Sequence, residues 1–256
     1  MKIKRNLGAI ILAAGRGSRM KSTQNANKVT MSLADKPIIL HAIELLEKMH
    51  LRLIVIVVGF AKQSVLNIVT HPIAVFAEQS KRLGTAHAVK CALPKIPSDV
   101  TDVIVMNGDD SAFYTKHLIS ELTDIHFSSQ AAVTFLTLEI DNPFGLGRVI
   151  RNAMGNVEAI VEEKDATESQ RMVKEVNAAC YVFSTAFLNK YIKKIEKSPV
   201  TGEYYIVSLI ELAAKYNEKI ETMRGGSMPW RGVNSKEELE EAERLYMQIN
   251  GNGHKS

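Results

Sequence analysis

A chain of 256 residues, 46% hydrophobic and 23% charged, can bury a full core and falls among ordinary globular proteins. Its net charge of +4 is spread without lysine and arginine runs or interleaved aromatics, a pattern that argues against a nucleic-acid groove and suits a phosphate-rich small molecule. Its two cysteines, Cys91 and Cys180, are far apart without metal-ligand spacing, so no disulfide framework or zinc site is indicated and a reducing, cytoplasmic setting is expected.

Residues 1–5 are basic and Leu7 to Ala14 apolar, which superficially matches an export leader. The apolar run is at the short limit, however, and Leu12 would occupy the place before a cut where a small residue is needed, so the segment reads as a first strand over 9–12. No segment approaches the roughly twenty apolar residues needed to span a bilayer, and no membrane partner is expected.

Further β-branched apolar runs at 53–58, 73–77, 103–106 and 132–138 read as buried strands. Between the strands at 9–12 and 53–58, Pro37 suits a first helical position, and Ile39, Ala42, Ile43, Leu46 and Met49 recur on one helical face. Helical patterns at 63–69, 84–93 and 114–127 separate the later strands. Strands alternating with helices predict an α/β fold with a doubly wound, Rossmann-like sheet, whose ligands bind outside the carboxyl ends of the strands. After 138 the rhythm changes. Segments 147–150, 157–161 and 177–183, with a turn at 152–156, predict a small, partly antiparallel portion. Helices over 204–216 and 236–249 precede a polar tail, 250–256, expected to be disordered. A single domain over 1–249 is expected, with a nucleotide-binding half (about 1–138) and a sugar-binding half (about 139–249).

The first strand runs into Leu12-Ala13-Ala14-Gly15-Arg16-Gly17-Ser18-Arg19-Met20, where small residues let the backbone approach a triphosphate and Arg16, Arg19, Lys21 and Lys28 add countercharge. The loop lacks the Gly-Lys-Ser/Thr of a Walker A motif, and Met20 stands where a dinucleotide fingerprint has its third glycine. A strand-to-helix turn with solvated arginines would look the same. Asn107-Gly108-Asp109 ends the fourth strand, where a carboxylate can hold a hard cation or cap a turn.

The whole stretch 12–20, followed by Asn27-Lys28-Val29, resembles the opening signature of the sugar-nucleotide pyrophosphorylases, L-A-A-G-x-G-T/S-R-M and then P-K. Within that nucleotidyltransferase family, nearly the whole chain is similar to the N-acetylglucosamine-1-phosphate uridylyltransferase half of the bifunctional bacterial UDP-N-acetylglucosamine synthesising enzyme. The resemblance implies a sheet of the nucleotide-diphospho-sugar transferase type. It also implies transfer of a nucleotidyl group from UTP to a sugar 1-phosphate, most closely N-acetylglucosamine 1-phosphate, with Mg²⁺ as cofactor and pyrophosphate released. Arg19 and Lys28 would then be catalytic, and Leu12, Ala13, Ala14, Gly15 and Gly17 would hold the nucleotide together with Asn107 and Gly108. Gln79 and Gly84-Thr85-Ala86-His87-Ala88 resemble the base-contacting glutamine and its following turn, although Thr85 would also serve as a helix cap. His87 is expected to be structural.

The metal falls by resemblance to Asp109 and Asn234. Gly147, Glu162 and Asn177, in Gly145-Leu146-Gly147-Arg148, Val161 to Ala166 and Glu175-Val176-Asn177, match the sugar contacts, and Glu203 and Tyr205 match a segment near the sugar. A helix N-terminus with an acidic first turn is the plain reading of Glu203. The chain departs from the pattern at Asn27, which replaces proline and is expected to cost rigidity in aiming Lys28. It departs again at Asp110-Ser111-Ala112-Phe113, where the family has any residue, proline and leucine after the metal carboxylate. Asp110 could support the metal, cap the following helix or mark altered chemistry.

These departures keep other readings open: another sugar or alcohol phosphate, dTTP or CTP in place of UTP, or a nucleotide-sugar-binding regulatory module without turnover. A dinucleotide oxidoreductase is weaker because its glycine spacing fails. No hexapeptide repeats occur in the chain, so no acetyltransferase activity is expected of it. Homo-oligomerisation is left open.

Overall fold

The protein is described as a computed structural model covering residues 6–17, 26–226, 228–230, 232–233 and 235–251. Strand β1 (Leu7–Ala13) leads through a short hairpin, β2 (Ser32–Leu33) and β3 (Lys36–Pro37), into α1 (Ile38–Glu47), followed by β4 (Ile54–Val58), α2 (Lys62–Leu66), β5 (Ala74–Glu78), α3 (Thr85–Ala92), β6 (Asp102–Asn107) and α4 (Lys116–Ser129). The second half contains β7 (Val133–Glu139), β8 (Arg148–Arg151), β9 (Val157–Val161), α5 (Glu168–Arg171), β10 (Glu175–Ser184), α6 (Thr185–Tyr191), α7 (Ser208–Lys215), β11 (Ile220–Arg224) and α8 (Lys236–Gly251).

Among the described residues the main sheet has nine strands in the order β11-β7-β10-β6-β1-β4-β5, with β8 joined to β10 and β9 to β8. β6, β1, β4 and β5 run parallel, while β10 is antiparallel to β6, β7 and β8. The period of two along each strand sorts the core into two layers. Ala9, Ile11, Ile54, Ile56, Ile104 and Met106 pack beneath Ile39, Ala42 and Leu46 of α1 and Ile119 and Leu122 of α4. Ile10, Val55, Val57, Val103 and Val105 face Ala86, Val89 and Ala92 of α3 and the apolar faces of α6 and α7. Each such fully buried Ile or Val contributes about 1.5–3 kcal/mol, so helices on both faces are a requirement of these strands.

The predicted α/β class and mixed, doubly wound sheet are therefore present, with corrections in detail. Pro37 is not the first helical residue. It has ψ 133°, pairs with Ser32 and immediately precedes α1, because Ala34 and Asp35 both take positive φ and close a tight hairpin there. The helix expected from Tyr204 begins at Ser208, since Tyr204 N donates to Leu83 O and Tyr204 O accepts from Ala86 N, at 2.8 and 2.9 Å, which holds that segment extended. Within the same contact Gly84 has φ +102°, and a Cβ there would lie 2.4 Å from Tyr204 O. α6 and β11 were not predicted. The expected tail falls mostly outside the described residues.

At the end of the sheet remote from the strands' carboxyl termini, buried His126 of α4 meets Asp102 Oδ1 through Nε2 at 3.0 Å and Thr134 Oγ1 through Nδ1 at 2.9 Å. Asp102 Oδ2 also accepts from Thr101 Oγ1 at 2.6 Å, so one network ties α4 to β6 and β7. Truncating one member of a buried network strands the others. Asp102→Ala is expected to lower unfolding free energy by about 3 kcal/mol, read as a lower denaturant midpoint; a midpoint equal to wild type would refute this role.

Candidate active site

A cleft of ≈ 810 Å³ opens where the carboxyl ends of β1, β5 and β6 meet β8, β9 and the start of β10. Its position follows from parallel strand direction, which leaves the loops after β1 and β6 side by side at a switch in strand order. On the nucleotide side, Leu12, Ala13, Ala14, Gly15 and Gly17 line the cleft with Gln79, Gly84, Thr85 and Asn107. Gly108 is not a lining residue: its N–H donates to Leu12 O at 3.0 Å, and a Cβ would sit 3.2 Å from Val29, so its role is close packing of two loops. Arg16 lies over the Phe60 ring, 5.5 Å from its centroid, at the cleft wall. Arg19 and Lys21 lie outside the described residues.

Lys28 follows Asn27 into a 3-10 turn, Lys28–Thr30, and its ammonium forms an ion pair with Asp109 Oδ2 in the cleft. Asn27, expected to cost rigidity, is extensively hydrogen-bonded. Its buried side chain donates to Ala13 O and Phe60 O, both at 2.9 Å, and to Gly15 O at 3.3 Å, while Oδ1 accepts from Val29 N at 3.2 Å. Asn234 is outside the described residues. Val233 N donates to the backbone carbonyl of Asp109 at 3.3 Å.

Asp110 is buried, and Oδ2 accepts from Asn107 Nδ2 at 3.3 Å while Oδ1 has no hydrogen-bond partner. Burial, and then the charge of Asp109, push its carboxyl well above the usual carboxylate range. It caps no helix: the following 3-10 turn has no side-chain cap, and α4 is capped by Thr115 Oγ1, which accepts from Leu118 N at 3.2 Å. Thr85 likewise does not cap α3; its Oγ1 accepts from Ile206 N at 2.9 Å. Gln79 Nε2 donates to Gly84 O at 2.9 Å and to His87 Nδ1 at 3.0 Å, and burial, with Lys90 nearby, lowers the His87 pKa. His87 thereby positions Gln79, in keeping with a structural role.

On the opposite wall, β10 carries a bulge in which Ala179 takes φ +54° and the register against β7 shifts between Asn177 and Tyr181. The bulge presents both Asn177 and Ala179 to the cleft. Asn177 is held by its Nδ2 to Tyr181 Oη at 2.6 Å and by Oδ1 from Ala179 N at 3.1 Å. Gly147, Glu162 and Glu203 join it in the lining. A Cβ on Gly147 would come 3.0 Å from Ile160 Cγ2, so a larger residue there would need Ile160 to shift by a few tenths of an ångström. The loop before it is fixed by buried Arg148, which pairs with Glu163 Oε2 at 2.6 Å, while Glu163 also accepts from Gly145 N at 3.1 Å. Tyr205 is the exception among the sugar-side residues: it does not line the cleft and bonds Thr201 Oγ1 at 2.6 Å. Glu203 belongs to no helical first turn, since α7 starts five residues later.

Arg82, Phe144, Trp230 and Glu238 also line the cleft and carried no motif signal. Trp230 is fixed by its Nε1 donating to Tyr114 Oη at 3.0 Å. Cys91 and Cys180 are free thiols, and neither lines the cleft. Among the described residues no three His, Cys, Asp or Glu side chains gather as a self-sufficient metal site. No described helix is long and apolar enough to cross a membrane.

The glycine-bearing loop after β1 and the Lys28–Asp109 pair thus share one α/β cleft with Glu162, Asn177 and Glu203, an arrangement suited to a phosphate-bearing ligand. The chain belongs to the MobA-like NTP transferase domain family, whose profile matches residues 9–176. It is 39% identical over 244 residues to the bifunctional protein GlmU of Caldicellulosiruptor saccharolyticus, covering 94% of this chain and 52% of that one. GlmU of a Geobacillus strain is 36% identical over 93% of this chain and 51% of its own length. The chain thus spans about half the length of the curated relatives it matches. Among solved structures, a Bacillus anthracis protein described as a glucose-1-phosphate thymidylyltransferase, in complex with a sucrose, superposes with TM-score 0.79 at 21% identity, over 95% of this chain and 96% of that one, which shows the shared fold.

Burial, followed by the charges of Asp165 and Glu203, pushes the Glu162 carboxyl up to about 7. Removing a negative neighbour favours ionisation. Glu203→Gln is expected to lower the Glu162 midpoint, followed by carboxyl ¹³C chemical shift against pH; an unmoved or higher midpoint would refute the coupling.

Proposed function

We propose that the cleft transfers a uridylyl group from UTP to N-acetylglucosamine 1-phosphate, releasing pyrophosphate. One observation carries the reading: a single cleft joins a basic loop holding Arg16 and Lys28 to an acidic, amide-bearing wall of Glu162, Asn177 and Glu203, with Asp109 between them. The first half suits a triphosphate. Carboxylate and amide groups suit paired sugar hydroxyls, and the bare backbone at Gly147 suits an acyl carbonyl. The motif resemblance to the uridylyltransferase half of a bifunctional enzyme, together with relatives that are bifunctional GlmU proteins, supports this nucleotide and this sugar.

The reaction needs no covalent nucleophile. A phosphate oxygen of the sugar 1-phosphate attacks the α-phosphorus, a new P–O bond forms, and the bond from the α-phosphorus to the bridging α,β oxygen breaks as pyrophosphate leaves in line. Lys28 lies where it can offset charge developing on the phosphoryl oxygens, with Arg19 assigned the same task by resemblance. The loop glycines and Gln79 hold the nucleotide, while Glu162 and Asn177 orient the acceptor. A hard divalent cation fits the donor set, because Asp109 and the partnerless Asp110 Oδ1 put carboxylate oxygens at the end of β6. Asp109 would hold Mg²⁺, with Asn234 by resemblance, and the ion would supply charge neutralisation at the phosphates. With so few protein ligands, such an ion takes its other oxygens from water and substrate.

Purified protein, Mg²⁺ and each nucleoside triphosphate, tested against a panel of sugar 1-phosphates, should release pyrophosphate fastest with UTP and N-acetylglucosamine 1-phosphate and not at all with EDTA. Preference for dTTP, CTP or another sugar would replace the substrates while keeping the reaction. Nucleotide binding without any turnover would favour a regulatory module. Lys28→Ala and Asp109→Ala should each lower kcat about a hundredfold or more with circular dichroism unchanged; wild-type turnover in both would overturn the assignment.

The raised Glu162 pKa adds a pH signature. A carboxyl that titrates near 7 is mostly protonated at pH 6 and mostly ionised at pH 8, and the ionised form accepts strongly at both oxygens whereas the protonated form turns one of them into a donor. The KM for the sugar phosphate should therefore fall about tenfold from pH 6 to 8, in proportion to the competent fraction. Glu162→Gln should flatten that dependence while the UTP KM stays level. A slope that persists in the variant would assign the titration elsewhere.

A further inference from the structure

We infer that Asn27 is a positioning residue of the nucleotide site, acting through its side-chain amide and not through the backbone shape of its position. The inference rests on the reading of the cleft as a nucleotidyl-transfer site. Asn27 is only 1% exposed and stands between the phosphate loop and Lys28. Two amide hydrogens serve three carbonyls, those of Ala13, Gly15 and Phe60, and Oδ1 accepts from Val29 N to start the turn that carries Lys28. Its backbone N–H donates to Ser64 Oγ at 3.0 Å, and its carbonyl accepts from Thr30 N at 3.0 Å and Thr30 Oγ1 at 2.7 Å. One side chain thus joins the loop after β1, the turn at Lys28 and the 59–64 segment, whose Phe60 ring also seats Arg16.

No other residue of this length offers both a paired donor and an acceptor. Aspartate would face three carbonyl oxygens with a carboxylate. Alanine would leave the buried carbonyls without this donor. Proline is the informative exchange. The observed φ of −78° lies inside proline's range of about −65 ± 15°, so the backbone accommodates it, yet the ring removes the N–H to Ser64 and every side-chain bond. If position 27 matters only as a rigid corner, proline serves as well as asparagine. If the amide aims the loop and Lys28 together, it does not.

The test compares wild type, Asn27→Ala, Asn27→Pro and Ser64→Ala by steady-state kinetics with the preferred substrate pair, by thermal midpoint and by amide hydrogen exchange of residues 12–17. Asn27→Ala and Asn27→Pro should both lower kcat about tenfold or more, leave the sugar-phosphate KM within about twofold and speed exchange across 12–17, with Ser64→Ala intermediate. Wild-type kcat and exchange in Asn27→Pro would overturn the inference, as would an Asn27→Ala variant that loses thermal stability alone. Should Asn27→Ala fail to fold, Asn27→Pro and Ser64→Ala decide by the same criteria. If the wild-type protein itself turns over no substrate pair, the proposed reaction falls, and exchange at 12–17 still decides what Asn27 does.

Discussion

Three consecutive carbonyls, two at the end of β1 and one just beyond it, carry the organisation of the cleft. Leu12 O accepts from Gly108 N, Ala13 O from the Asn27 amide and Ala14 O from Phe60 N, at 3.0, 2.9 and 3.2 Å. Three loops from distant parts of the chain are thereby hung on consecutive residues at the carboxyl end of β1. That strand cannot shift, because it is hydrogen-bonded on both sides by parallel partners, β4 and β6, and covered on both faces by helices. A one-residue slip would move Ile10 and Ile11 to opposite layers and carry the loop, Lys28 and Asp109 out of register together. The site is thus held by the same burial that holds the core.

From this frame the cleft acquires its electrical polarity. Lys28 and Arg16 come from loops beside β1, whereas Glu162 and Glu203 come from the residue just after β9 and from the segment before α7, on the far side of the β10 bulge. Asp109 sits where the two regions meet, already paired with Lys28, so a cation entering there would compete with the ammonium and leave it available to phosphate oxygens. The rise of the Glu162 pKa to about 7 reflects the same crowding of negative groups in a buried wall. A phosphate group is favoured at one end and would be repelled at the other, which would set the direction in which the proposed acceptor, with one phosphate and several hydroxyls, lies.

The parts legible in the sequence were those set by local chemistry. The run Ile54–Val58 is buried at every position and admits no other element, and the glycines and cation of the first loop announce themselves by spacing. What escaped was set by distant partners. β11 is half-buried and does not alternate, with Glu221 and Thr222 adjacent and polar between Ile220 and Met223, and pairing with the edge of β7 makes it a strand. Tyr204 sits in a helical pattern but is drawn into extended pairing with residues 83–86. Most residues expected in the cleft do line it; Gly108 and Tyr205 do not, because motif position says nothing about which way a group faces. Asn27 looked like a loss because one-dimensional reading weighs proline's stiffness and cannot see carbonyls from residues 13, 15 and 60 converging on one amide.

The unusual segment after Asp109 has a physical account on its apolar side. Ser111 to Phe113 form a 3-10 turn, and Phe113 packs with Leu33, Ile38, Val233 and Ala242 in a small separate core beneath α8. The turn thus fastens the β2–β3 hairpin and the last helix to the end of β6, and Val233 is drawn close enough to bond the Asp109 carbonyl. Residue 110 is carried into the interior by that anchoring, where burial and then the charge of Asp109 push its carboxyl well above the usual carboxylate range. A side chain chosen for the core alone would be apolar there. The carboxyl therefore belongs to the electrostatics of the cleft floor, next to Asp109, while its neighbours in sequence belong to the packing.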